Sequence, residues 1–277
     1  MNDERVVWEI VTKFLLSTCR LRPQLTEPTV QAAVYCVATR ALHDGTEVDF
    51  IPLTTGSVAE LYIEPMIPHI GDIDVMVRHR IYLAIPAGHP PPTQLSAEFY
   101  SHNVQVFEIV DSHLPGYVYL DLRYLLSECV GDGRYNAVQC ERQRWYLLSC
   151  TVDGVDADDI HGPAILCRQP GSLLSIDHVR CVRCLVWPSQ AADWPTRHRN
   201  YGWPDSATVD RVVSNGCDVV PAVHRQCRQD EWMRDNQWRL SFSRAEIVLI
   251  NSWMPVEQIV YHMLRVTSID RAIDRQC

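Results

Sequence analysis

The chain has 277 residues and a mass of 31.8 kDa, with 47% hydrophobic and 21% charged residues, a balance that suits a globular protein burying a sizeable core. No stretch reaches the ~20 uninterrupted apolar residues of a membrane span. Met1-Asn2-Asp3-Glu4-Arg5 does not open a secretory signal, so the expected location is the cytoplasm, with the nucleus as alternative. A net charge of −9 and a pI of about 5.6 argue against avid nonspecific binding to long duplexes, where affinity comes from phosphate neutralisation. Lys13 is the single lysine, and because arginine suits bidentate phosphate contacts a local nucleic-acid groove stays open.

In chain order, residues 6–18 place Val6, Val7, Ile10, Val11, Phe14 and Leu15 on one side of a predicted helix. A second helix is expected over 26–42, entered through Pro28 and closed by Asp44-Gly45. Short β-rich pieces follow at 49–53 and 73–77, with clearer strands at 104–110 and 117–122, rich in β-branched and aromatic residues. A proline-rich loop spans 86–92. Further strands are expected at 164–166 and 176–186. Beyond Trp187-Pro188 the texture changes to tryptophans, prolines and short helical pieces: a helix over 206–213, an extended piece over 218–223, and helices over 241–253 and 256–264. This order predicts an α+β fold: residues 1–190 as a mixed-sheet lobe with a long N-terminal helix, and 191–277 as the start of a helical lobe.

Eleven cysteines are scattered without a disulfide pattern, and reduced, mostly buried thiols are expected. Cys181-Val-Arg-Cys184 has zinc-knuckle spacing, but it falls in a predicted strand, where residues three apart face opposite sides, and no second pair follows. No zinc is expected there.

The chemistry-bearing residues lie between the helices. Asp72 and Asp74 are two apart, so on a strand both carboxylates point to one face. Side by side they repel unless cations neutralise them, and hard oxygen ligands suit Mg²⁺ or Mn²⁺, ions that also bind substrate phosphates. Gly56-Ser57, fifteen residues before Gly71, offers backbone N–H groups and a hydroxyl as an anion cradle. Asp177, near the start of a predicted strand, is the candidate third acid. The plainer reading of an Asp-x-Asp, a solvated strand end or turn, stays open at this stage.

Gly56-Ser57, Asp72-Ile-Asp74, His161-Gly-Pro163, Asp177, Trp187-Pro-Ser-Gln190, Gly202-Trp-Pro204 and Trp238-Arg-Leu-Ser-Phe-Ser-Arg-Ala-Glu246 occur in an order that resembles the male abnormal 21 family, which includes cyclic GMP-AMP synthase (cGAS) and the animal cGAS-like receptors. The likeness runs from about Val30 onward, and Trp-Arg-Leu-Ser-Phe-Ser before a helix is its most specific element. The resemblance implies a nucleotidyltransferase that senses a ligand such as double-stranded RNA. Such an enzyme joins two nucleoside triphosphates (ATP, GTP or other) into a cyclic dinucleotide in innate immune signalling. It implies that Asp72, Asp74 and Asp177 hold the catalytic metals, that Gly56 and Ser57 bind the triphosphate, and that Arg239, Ser241 and Ser243 contact the nucleotide. For the two serines an N-cap function is the alternative.

The chain departs from the family pattern in three places. Glu60 is followed by Leu61 rather than glycine, and no His or Cys follows Glu246 where a zinc thumb would sit, so the zinc-free, RNA-sensing branch is the nearer analogue. The third is the length beyond Arg239, short against the helices that the resemblance implies. The helical lobe is therefore expected to be incomplete, with the apolar residues of 247–264 forming an exposed patch or meeting a protein partner. Two other readings remain: a catalytically silent scaffold of the same family, and a transferase with a linear product.

Overall fold

The computed structural model describes residues 50–56, 72–95, 99, 103–129, 134–140, 160–161, 163–168, 175–222 and 236–254, with Val6, Glu9, Lys13, Glu257, Val260 and Tyr261. The side chains at 50–52, 72, 160–161, 167–168 and 175 lie outside that description, as do most of the two expected N-terminal helices. Val6, Glu9 and Lys13 are helical and exposed.

Among the described residues, ten strands build one mixed sheet. They are β1 (Phe50–Thr55), β2 (Asp72–Pro86), β3 (Asn103–Asp111), β4 (Tyr117–Glu128), β5 (Tyr135–Gln139), β6 (Ile160–His161), β7 (Ala164–Arg168), β8 (Ser175–Cys184), β9 (Cys217–Pro221) and β10 (Trp238–Ser241). Two helices are seen from end to end among the described residues, α1 (Ser206–Ser214) and α2 (Ser243–Asn251), and three single 3₁₀ turns lie between β8 and α1. Among the described residues no helix is long and apolar enough to cross a membrane.

β2 organises the sheet. It runs 15 residues, far beyond the expected 73–77, because a second β-rich apolar run, Ile81-Tyr-Leu-Ala-Ile85, continues the strand beyond Arg78-His-Arg80 and a register shift between Arg78 and Leu83. It pairs in parallel with β8 on one side, and with β1 and then β3 on the other. The pairings β2–β3, β3–β4, β4–β10, β10–β9, β9–β8 and β8–β2 form a closed ring. Every strand of the ring contributes to one cluster: Ala84, Phe107, Ile109, Val118, Leu120, Val182, Cys184, Cys217, Val219 and Trp238. That cluster is the ring's interior. The alternate residues of β2 and β8 face outward, where Met76, Val179 and Cys181 pack with Ala164 and Val220.

Residues 238–241, the first part of the Trp-Arg-Leu-Ser motif, form a strand rather than a lead-in loop, and Ser241 is its last residue instead of the first of a helix. β10 completes the ring by bridging β4 and β9. Trp238, buried in the interior, fixes its register. Helix α2 then begins at Ser243 and packs on β9, β1 and α1. Its residues Ile247, Val248, Leu249 and Ile250 are half-buried, not the exposed stripe that their sequence suggests. Val260 is half exposed, and Val256, Ile259, Met263 and Leu264 lie outside the described residues.

The cysteine spacing behaves as strand alternation dictates. Cys181 packs on the outer face and Cys184 in the ring interior, both buried. Burial pushes the Cys181 thiol up. Cys184 pairs in register with Cys217, and its Sγ donates to the Val186 carbonyl at 3.1 Å.

Candidate active site

The parallel pairing of β2 with β8 sets Asp74 directly opposite Asp177, with Met76 opposite Val179 two positions further on. Residues directly opposite in a sheet present their side chains to the same face. Both acids therefore project from the outer face, at the N-terminal ends of their strands, just beyond the apolar cluster that Met76 and Val179 enter. Asp72 stands opposite Ser175, so its backbone position is on the same face, one pleat further out. Its side chain lies outside the described residues. Asp74 and Asp177 are half-buried.

β1 brings the Gly-Ser turn to these acids. Thr55 pairs with Asp74, and Gly56 follows with φ +64°, a left-handed conformation that favours glycine. A Cβ at position 56 would lie 2.7 Å from Asp74 Cγ. The turn therefore approaches the carboxylate at a distance only glycine allows. Ser57 lies outside the described residues.

The remaining predicted residues are elsewhere on the outer face. Arg239 and Ser241 alternate with the buried Trp238 of β10, and Arg239 is exposed. Ser241 is opposite Asp218 of β9, which is opposite Arg183 of β8. Arg183 is six positions along β8 from Asp177, about 20 Å at the usual strand rise. The structure thus brings Gly56, Asp74 and Asp177 together and holds Ser241 and Ser243 apart from them, next to one another with their Oγ atoms 3.2 Å apart. Neither serine caps α2: Phe242 occupies the N-cap position, without a side-chain cap.

Helix α2, which carries Ser243, is braced at both ends by the tryptophan motifs. At its start, Phe242 stacks on Trp187 at 5.3 Å, and Trp187 Nε1 donates to the Ala191 carbonyl at 2.8 Å. At its end, Trp203 donates from Nε1 to Ser252 Oγ at 3.2 Å and packs on Trp253, which contacts Tyr261 in turn. Arg244 Nε donates to Asp218 Oδ2 at 2.6 Å. That ion pair was not anticipated from sequence; an acid opening a run of apolar strand residues, Asp218 before Val219-Val220, was its one signal.

The inward-alternating residues of the acid-bearing strands carry a separate basic group. His178 and Arg180 of β8 stand opposite Val75 and Val77. Arg180 Nη2 donates to His79 Nε2 at 3.3 Å. Burial, with the Arg180 and His178 charges beside it, lowers His79 to about 4. Its imidazole is neutral at pH 7 and accepts from the guanidinium. Among the described residues no cluster of three His, Cys, Asp or Glu is placed to hold a metal ion, and the Asp72 carboxylate is not among them. The two described acids nevertheless fit a divalent cation by charge: paired carboxylates on neighbouring strands repel unless a cation lies between them.

The Mab-21 protein nucleotidyltransferase domain matches residues 162–252, a segment holding Asp177, Asp218, Arg239, Ser241, Ser243 and Arg244. The match is consistent with a member of the Mab-21 and cGAS-like family, and it supports a nucleotidyltransferase-type activity.

Proposed function

We propose, with that match as premise, that the chain is a Mg²⁺- or Mn²⁺-dependent nucleotidyltransferase joining two nucleoside triphosphates into a cyclic dinucleotide. Its trigger is a ligand such as double-stranded RNA, and its product serves innate immune signalling. The observation that carries the reading is the opposition of Asp74 and Asp177 on parallel strands, with Gly56 against Asp74. A turn of that kind leaves backbone N–H groups free to approach phosphate oxygens, and acids beside it hold the ions that accompany a triphosphate.

Asp72, Asp74 and Asp177 would hold the metal, which when bound neutralises the triphosphate and favours loss of pyrophosphate. The Asp177 carboxylate accepts the proton of the attacking ribose hydroxyl. That oxygen forms a bond to the α-phosphorus as the bond to pyrophosphate breaks. Gly56 and Ser57 orient the triphosphate, and Arg239, Ser241 and Ser243 contact the nucleotide further along the face. A second such transfer closes the ring.

The test is incubation with all four labelled triphosphates, Mg²⁺ or Mn²⁺, and duplex RNA or DNA. A nuclease- and phosphatase-resistant cyclic product is expected. A linear product would redirect the reading to an RNA-tailing type of transferase, and absence of any product would favour the silent scaffold.

A further inference from the structure

The start of α2 is tied to the sheet by an ion pair that the transfer chemistry does not use. The side chain of Asp218 is 1% exposed and that of Arg244 19%, with Nε and Oδ2 2.6 Å apart. Register puts Asp218 opposite Ser241, and Ser243 immediately precedes Arg244. The pair therefore grips the strand-to-helix junction on both sides of the two hydroxyls, whose Oγ atoms are 3.2 Å apart. From the ring side, Phe242 is held by Trp187.

Hydroxyl rotors turn easily, so two serines discriminate hydrogen-bonding edges only if their backbone is fixed. The pair fixes it, because the Asp218 carboxylate is buried and loses a close, charge-assisted partner if Arg244 moves away, with Arg183 opposite it on β8 as its other neighbouring charge. We propose that Asp218 and Arg244 form a positioning pair. They set Ser241 and Ser243, with Arg239, as an edge that reads the nucleobase, so base preference depends on an ion pair that touches no nucleotide. This rests on the nucleotide-binding reading proposed above.

The experiment measures binding of ATP, GTP, CTP and UTP, and separately of inorganic tripolyphosphate, to the full chain by calorimetry in Mn²⁺. Variants are R244Q, R244K, D218N and S241A/S243A. R244Q and D218N are expected to weaken the preferred nucleotide roughly tenfold, the scale of one well-aimed hydrogen bond, and to level the preference among bases. Tripolyphosphate should bind as to the unsubstituted chain. R244K, which keeps the charge without the planar fork, should fall between the two. Unchanged base preference in both R244Q and R244K overturns the proposal, as does equal weakening of tripolyphosphate, which marks general damage. If R244Q or D218N does not fold, R244K and the D218N/R244Q double variant, which removes both charges together, decide by the same ratio. If S241A/S243A leaves nucleotide affinity intact, or no triphosphate binds at all, the nucleobase reading itself fails.

Discussion

Gly56 lies so close to Asp74 that any side chain at position 56 would press into the carboxylate, its Cβ 2.7 Å from Cγ, and the backbone there has φ +64°. Gly88 is the internal control, with φ +73° and nothing within 4 Å of a built Cβ. Gly88→Ala is expected to cost about 1 kcal/mol from conformation alone. Gly56→Ala should cost about 2–3 kcal/mol, since the carboxylate must also move. Urea denaturation of the two variants checks the difference, and equal losses would mean that the turn is not held against Asp74.

Asp74 and Asp177 stand opposite one another across the β2–β8 pairing, where each carboxylate disfavours the charged form of the other. Replacing either by Asn should leave the melting temperature unchanged or raise it, by a gain of about 0.5–2 kcal/mol. Mn²⁺ should raise the melting temperature of the unsubstituted chain and fail to raise that of D74N or D177N. Thermal scans with and without Mn²⁺ measure both. Strong destabilisation in the absence of metal would show that the acids serve packing instead.

His79 gives a pH dependence whose sign is fixed by burial. Its folded value, lowered to about 4, lies below the unfolded 6.5, so the unfolded chain takes up the proton first as pH falls. Stability attributable to His79 is full above pH 6.5 and is lost progressively down to about pH 4. Between pH 7.5 and 5 the loss has a ceiling of about 2 kcal/mol, lowered by partial solvent access. The neighbouring charges are Arg180 and His178. His79→Gln keeps a neutral acceptor for Arg180 and should flatten the difference in urea midpoint between the two pH values; an unchanged slope would refute the assignment.

The cysteines separate by location. Among the described cysteines, all free, Cys181, Cys184 and Cys217 are buried, whereas Cys129 and Cys140 are half-buried. Of these five, native-state alkylation followed by peptide mass mapping should label Cys129 and Cys140 first and the other three only on unfolding. The purified protein should hold no stoichiometric zinc, and elemental analysis that finds it would reopen the Cys181–Cys184 spacing.

Local pattern made much of this structure legible. β3 and β4 follow from β-branched and aromatic alternation, and α1 from Ser206 to Ser214 follows the expected 206–213 closely. Asp205 caps α1 by accepting from Thr208 N at 2.7 Å. The shared face of Asp72 and Asp74 needed only the strand period. The pairing of Asp74 with Asp177 was reachable only through the family resemblance, because a parallel pairing between residues a hundred positions apart leaves no local trace. β10 was missed for a related reason. Trp238-Arg-Leu-Ser runs straight into a helical pattern, and only its partners β4 and β9 make it a strand. The Arg244–Asp218 pair was hidden in the same way, since nothing in either segment names the other.

The central claim is that Asp74 and Asp177 are the paired acids of a metal-dependent nucleotidyl-transfer site. Release of pyrophosphate from nucleoside triphosphates, followed in Mn²⁺ with and without duplex RNA, tests it most directly. The full chain is expected to release pyrophosphate only with the divalent ion, and D74N and D177N, each folded by its thermal scan, should fall to background. Release that persists in either variant would contradict the site. So would complete silence of the unsubstituted chain across all four triphosphates, both ions and both duplexes.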